Sequence, residues 1–309
     1  MKFAFVFPGQ GSQSLGMLRG FAGLPAVRRT FDETSSILKQ DLWALAESGP
    51  EESMNQTVNT QPLMLAAGVA VYRAWEDLHG AQPVLLAGHS LGEYTALVAS
   101  GALDFADALP LVRFRAETMQ HAVPEGCGGI AAILGLDDEK INEVCRAAAQ
   151  GEVLQAVNFN APGQTVIAGH RQAVQRGMEL AKTRGAKRAI MLPMSAPSHC
   201  SLMHGAAEKL KQRLRSVAIR TPVIPVLHNA DVTEHADPED IKGALVRQLY
   251  SPVRWVETIQ ALQQAGITHV AECAPGKVLA GLNKRIAPDQ EILAFNDSAA
   301  LRQALTVLI

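Results

Sequence analysis

Residues 84 to 101 read Val-Leu-Leu-Ala-Gly-His-Ser-Leu-Gly-Glu-Tyr-Thr-Ala-Leu-Val-Ala-Ser-Gly, an apolar run, then Gly88-His89-Ser90-Leu91-Gly92, then a helical pattern. No other segment constrains the fold as strongly. Val84, Leu85, Leu86 and Ala87 suit a short strand buried on both faces. Leu91, Tyr94 and Val98 fall on one side of a helix over 91–100. A serine at the sharp turn between such a strand and helix projects its hydroxyl above a sheet as a nucleophile. Glycines at 88 and 92 let the two elements approach closely enough to turn. The helix N-terminus favours negative charge developing near Ser90.

Strands and helices alternate on both sides of this turn. Residues 2–7 read as a buried strand ending in the glycine-rich loop 8–13. A helix is predicted over 60–79, with Thr60 as N-cap and Pro62 near its first turn. Asp104 is placed to cap another helix, which carries Arg113, Arg115 and Met119 and should be kinked by Pro110. Between Gly128 and Met194 the pattern becomes self-contained: strand 130–134, helix 138–149, strands 154–159 and 165–168, helix 171–184 and strand 188–192. That βαββαβ order matches a ferredoxin-like unit, expected as an insertion at 124–195 within a discontinuous large domain of 1–123 and 196–309. A helix over 198–216, a strand over 223–227, two helices through 264 and strands over 269–273 and 292–295 follow. The fold class is therefore α/β, a large domain with a mainly parallel sheet plus the inserted small domain. The cleft between them is a natural substrate site.

Composition excludes several function classes. A net charge of −2 over 309 residues argues against general nucleic-acid binding. The densest basic cluster, Lys182, Arg184, Lys187 and Arg188, reads as a solvated face or a local anion site. The run from Phe3 to Phe7 is far shorter than the roughly 7 to 15 apolar residues of a signal-peptide core. No stretch approaches the ~18 that span a membrane, so no membrane association and a cytoplasmic location are expected. The four cysteines are scattered without a C-x-x-C pair, which suggests buried free thiols rather than disulfides or a metal site.

A serine hydroxyl attacks only when a base removes its proton, most often a histidine. Spacing alone does not choose among nine histidines. His89 adjoins Ser90, but neighbouring side chains at a sharp turn diverge. His199 lies in Ser195-Ala196-Pro197-Ser198-His199-Cys200, where the insertion should rejoin the large domain and a loop can aim a side chain into the cleft. Arg113 and Arg115, two residues apart on one helix, face different directions, so only one can enter that cleft.

Phe7-Pro8-Gly9-Gln10-Gly11-Ser12-Gln13, Asn59-Thr60-Gln61-Pro62, the Ser90 turn with Glu93-Tyr94, Val157-Asn158-Phe159-Asn160, Pro197-Ser198-His199-Cys200, Gln248-Leu249-Tyr250 and Pro275-Gly276-Lys277-Val278-Leu279 occur in that order. With them the chain resembles, from end to end, the bacterial malonyl-CoA:acyl carrier protein transacylases. The resemblance implies a hydrolase-like large domain with a ferredoxin-like insertion. It implies Ser90 as the acylated nucleophile, His199 as base and acid, and a backbone carbonyl near Gln248 orienting the histidine ring in place of a third carboxylate. Backbone N–H groups of Gln10 and Leu91 would form the oxyanion hole. Arg115 would grip the malonyl carboxylate through two parallel hydrogen bonds, with Met119 and Gln61 also binding substrate. Malonyl-CoA and holo acyl carrier protein are then the substrates and partners of a monomer without a bound cofactor or metal. The chain departs from the family at Ala116 and Ala274, where glycine is usual. Rival readings are a serine thioesterase or esterase, which has no use for Arg115, and a transacylase serving polyketide assembly or malonate decarboxylation.

Overall fold

The computed structural model of the chain describes residues 1–193 and 196–309. The expected upper limit of the insertion, residue 195, lies outside them, as do Met194 and Ser195 of the junction loop. Among the described residues the strands are β1 (Phe3–Phe7), β2 (Leu85–Gly88), β3 (Gly128–Leu134), β4 (Leu154–Ala161), β5 (Gln164–His170), β6 (Arg188–Met191), β7 (Val226–Leu227), β8 (His269–Glu272) and β9 (Glu291–Ala294).

The larger sheet has the order β7-β2-β1-β8-β9 and every pairing is parallel. Its central strand β1 is buried at each position because helices cover both faces. Alternation sends Phe5 against Trp75 and Phe295 on one side, while Ala4 and Val6 join Trp255, Ile259 and Leu262 on the other. The smaller sheet has the antiparallel order β4-β5-β3-β6, with the helices Asp138–Ala149 and Arg171–Thr183 on one face around a separate core. Its other face, through Ile130, Val157, Val166 and Ala168, packs on Cys200 and Leu202. Backbone bonds in both directions between the segment Val157 to Phe159 and Val253, just before the helix Trp255–Gln264, tie the smaller sheet to the rest of the chain. The architecture is the α/β fold expected, a parallel-sheet domain with a ferredoxin-like unit set over it. Among the described residues no helix is long and apolar enough to cross a membrane.

Several local expectations are corrected. The helix Thr57–Asp77 starts after Gln56, whose carbonyl accepts from the Asn59 and Thr60 amides, so Thr60 is no N-cap. Its hydroxyl bonds the Met54 and Gln56 carbonyls instead. Asp104 precedes the helix Phe105–Gln120, but its side chain pairs with Arg220 rather than capping. The helix predicted over 198–216 is shortened to a 3₁₀ turn, Ser201–Met203, and the helix His204–Leu214, since His199 has a positive φ of 64° and Cys200 is extended. The strand expected over 223–227 shrinks to β7, where Pro225 removes a ladder donor and Val223 lies exposed. Cys127 is an exposed thiol; Cys145, Cys200 and Cys273 are buried.

Candidate active site

Ser90 stands just beyond the C-terminal end of β2, at a turn into the helix Gly92–Ala99. The glycines are required by close approach: a Cβ on Gly88 would lie 1.9 Å from the carbonyl carbon of Gly92, and one on Gly92 would lie 2.0 Å from the Phe7 carbonyl oxygen. Ser90 itself has φ 52°, a left-handed conformation costing a non-glycine residue about 1–3 kcal/mol. The surroundings hold it there. The Asn229 carboxamide accepts from the Ser90 N–H at 2.7 Å and donates to the Gly88 carbonyl at 2.6 Å.

His199 reaches the serine from the junction loop. Its Nε2 lies 2.7 Å from Ser90 Oγ, and its Nδ1 lies 2.7 Å from the Gln248 carbonyl oxygen. A carbonyl can only accept, so Nδ1 carries the proton and Nε2 presents its lone pair to the hydroxyl. Burial, and then the positive charge of Arg115, push the His199 pKa down to about 3, which keeps the ring neutral and able to act as a base. The group facing Nδ1 is a backbone carbonyl, with no carboxylate within hydrogen-bond reach of the ring among the described residues. His89 turns away from Ser90 and pairs with Asn160 at 2.8 Å, beside the Trp255 ring.

Arg115 and Arg113 diverge as helix geometry requires. Arg113 reaches the Leu38 carbonyl and Gln40. Arg115 is 1 % exposed and points at the serine, its guanidinium donating to Gln61 Oε1 at 2.7 Å, Gln248 Oε1 at 3.0 Å and Ser90 Oγ at 3.2 Å. Among the described residues it has no carboxylate partner, and its Nε–H is buried without an acceptor. A buried cation surrounded by neutral acceptors is poised for an anion from outside. Desolvation lowers the Arg115 pKa from its ordinary value and outweighs the opposing influence of Tyr94 and Glu93 nearby.

A cavity of about 150 Å³ opens over these groups, lined by Gln10, Gln61, Leu91, Met119 and Asn158 among others. The loop carrying Gln10 is tied down where Gln10 Nε2 donates to Thr57 Oγ1 and Gln13 Nε2 to Asn55 Oδ1. The backbone N–H groups of Gln10 and Leu91 have no acceptor among the described residues. Met119 meets Gln61 through an Nε2 to sulfur contact of 3.7 Å. No cluster of His, Cys, Asp or Glu among the described residues is suited to a metal ion.

The family model of the acyl transferase domain matches residues 4–289. The malonyl CoA-acyl carrier protein transacylase of Salmonella typhimurium is 52% identical over 306 residues, covering 99% of each chain. The chain belongs to the malonyl CoA-acyl carrier protein transacylases. An acyl-carrier-protein S-malonyltransferase from Burkholderia pseudomallei shares its structure at TM-score 0.98 and 56% identity, covering 99% of this chain and 100% of the other. A malonyl-transacylase solved in complex with a type II PKS acyl-carrier protein matches at TM-score 0.98 and 50% identity, covering 99% and 100%. Like its family, the protein is an acyltransferase.

Sequence reasoning missed a layer of this transacylase site. Glu93, His228, Asn229 and the Gln248 side chain form a buried network under Ser90 and Arg115. Glu93 stood in view beside the glycine of the turn, but nothing in one sequence marks a carboxylate there as buried. Asn229 follows the two-residue strand β7, whose C-terminal end lies next to that of β2, and only sheet order reveals the adjacency. The Lys182 to Arg188 cluster is exposed and shares no lining with the cavity.

Proposed function

We propose that the protein transfers the malonyl group of malonyl-CoA to the phosphopantetheine thiol of acyl carrier protein through a malonyl ester on Ser90. The observation that carries this reading is one serine hydroxyl held between a neutral imidazole at 2.7 Å and a buried, unpaired guanidinium at 3.2 Å. A hydrolase needs the first; the second suits an acyl group that ends in a carboxylate.

Ser90 Oγ attacks the thioester carbonyl as its proton moves to His199 Nε2, and the Gln248 carbonyl holds the Nδ1–H of the imidazolium that forms. Negative charge on the carbonyl oxygen is met by the backbone N–H groups of Gln10 and Leu91. The tetrahedral intermediate collapses with cleavage of the carbon–sulfur bond, and His199 protonates the departing CoA sulfur. The acceptor thiol then gives its proton to His199, its sulfur attacks the ester carbonyl, and the carbon–oxygen bond breaks with the proton returning to Ser90 Oγ. The two substrates and these side chains account for every bond and proton, so no bound cofactor is invoked. Arg115 holds the malonyl carboxylate throughout, with Gln61 and Met119 shaping the pocket around it. The enzyme acts as a monomer in the cytoplasm, away from membrane and nucleic acid.

Intact-mass measurement after mixing with malonyl-CoA, followed by peptide mapping, tests this. A malonyl adduct on the Ser90 peptide, discharged by holo acyl carrier protein and absent from Ser90→Ala, is expected. Release of free malonate at the same rate with and without carrier would make the protein a thioesterase. The similarity to a transacylase solved with a type II PKS carrier favours one further comparison, discharge by fatty-acid against polyketide carriers.

A further inference from the structure

Glu93 is a fully buried carboxylate that the transfer steps do not use. Its Oε2 accepts from the Asn229 backbone N–H and from Gln248 Nε2, both at 2.9 Å, and its Oε1 lies 2.7 Å from His228 Nδ1. Burying such a group is costly unless its donors are fixed, and two of the three here lead to the reacting atoms. Asn229 holds the Ser90 N–H. Gln248 does more: Nε2 also donates to the Ser90 carbonyl at 2.9 Å, Oε1 accepts from Arg115 at 3.0 Å, and its backbone oxygen orients His199. The Gln248 amide can sit only one way round, since two acceptors face its nitrogen and a donor faces its oxygen.

We propose that Glu93 is a positioning residue for the carboxylate clamp: by holding Gln248 Nε2 it aims Gln248 Oε1 at Arg115 and so sets the guanidinium beside Ser90. This rests on the malonyl-transfer reading. Were Glu93 paired with Arg115 directly, a substrate carboxylate would have to displace it; the interposed amide fixes Arg115 without occupying it with a competing anion. The requirement is for an acceptor at Oε2. Glutamine at 93 satisfies it, with its oxygen toward Gln248 and its NH₂ toward His228. The ring of His228 can accept there, because its unpartnered Nε2 is free to carry the proton.

The experiment compares kcat/KM for malonyl-CoA with that for acetyl-CoA, using holo acyl carrier protein as acceptor, in the wild type, Glu93→Ala, Glu93→Gln and Gln248→Met. General damage lowers both substrates alike, whereas a misplaced clamp lowers malonyl transfer far more than acetyl transfer. The malonyl-to-acetyl ratio should fall at least tenfold in Glu93→Ala and in Gln248→Met, which keeps the backbone carbonyl of position 248, and should return to within threefold of wild type in Glu93→Gln. If Glu93→Ala does not fold, the other two variants decide. A ratio unchanged in Gln248→Met, or as low in Glu93→Gln as in Gln248→Met, overturns the proposal. Absence of malonyl transfer by the wild type would instead overturn the function on which it rests.

Discussion

Replacing Arg115 by alanine isolates the feature that separates this site from a plain serine hydrolase. The guanidinium is 1 % exposed and bonded only to neutral acceptors, so under the proposed function a malonyl carboxylate entering the cavity would form a buried charge pair with it. Truncating one partner of a buried pair costs about 3–5 kcal/mol, much of it from the charge left unpaired. At about 1.4 kcal/mol per tenfold, the lower end of that range, appropriate to a cavity open to solvent, is a loss of roughly a hundredfold in kcat/KM for malonyl-CoA. Acetyl-CoA brings no carboxylate. It suffers only a few-fold, from the hydrogen bonds that Arg115 gives to Gln61, Gln248 and Ser90, so the malonyl-to-acetyl ratio should collapse by more than tenfold. Arg115→Lys, which keeps charge but not the two-pronged donor, should fall between the two. Steady-state release of free CoA thiol with each thioester measures both constants. A ratio within threefold of wild type in a folded Arg115→Ala protein would refute the clamp, and with it the reason for preferring a malonyl group.

Because burial and Arg115 depress the His199 pKa to about 3, the base is already deprotonated across the ordinary range. The pH profile of kcat/KM for malonyl-CoA should therefore stay flat from pH 8 to about pH 5, and an acidic limb near 6.5 would show an unperturbed base. The same depression, shared in direction by His89, means that these two histidines bind more protons in the unfolded chain than in the folded one below about pH 6.5, while Glu272, whose carboxyl burial pushes up to about 7, binds more in the folded chain. The contribution of His199 is therefore read by difference: the melting temperature of the wild type relative to His199→Ala should fall as pH drops below about 6.5, and a difference that grows on acidification contradicts the assignment. His199→Ala should reduce acylation by at least a hundredfold more than His89→Ala does in stopped-flow formation of the malonyl enzyme; the reverse order would move the base to His89. Gly88→Ala drives a methyl into the Gly92 carbonyl carbon, so it should yield little soluble protein, and a normal melting curve would mean that the turn has room for a side chain.

Much of the large domain was legible because its signals are local. The apolar blocks of β1 and β2 are short and bounded by turn residues, as strands covered on both faces are, and the βαββαβ pattern of Gly128 to Met191 shows in its own periodicity. The failures were local too. Thr60 and Asp104 are good capping residues whose side chains found other partners, the Met54 and Gln56 carbonyls for Thr60 and Arg220 for Asp104, and Val223 satisfies a strand pattern that Pro225 and solvent exposure interrupt.

Sequence by itself determined the Gly88-His89-Ser90-Leu91-Gly92 turn, since only glycine fits where β2, its following helix and Phe7 touch. It also determined that Arg113 and Arg115 must face apart, because helical phase is a property of spacing. Which histidine meets Ser90, and what holds it there, was decided by the tertiary structure. Ser90 and Asn229 meet because the parallel strands β2 and β7 end side by side, and the helices Phe105–Gln120 and Pro238–Gln248 and the loop before Cys200 bring residues 115, 248 and 199 to them. Glu93 shows the division most sharply. One position past the turn it reads as an ordinary first-turn acid of a helix, and only the burial and the donors brought by distant loops give that carboxylate something to hold.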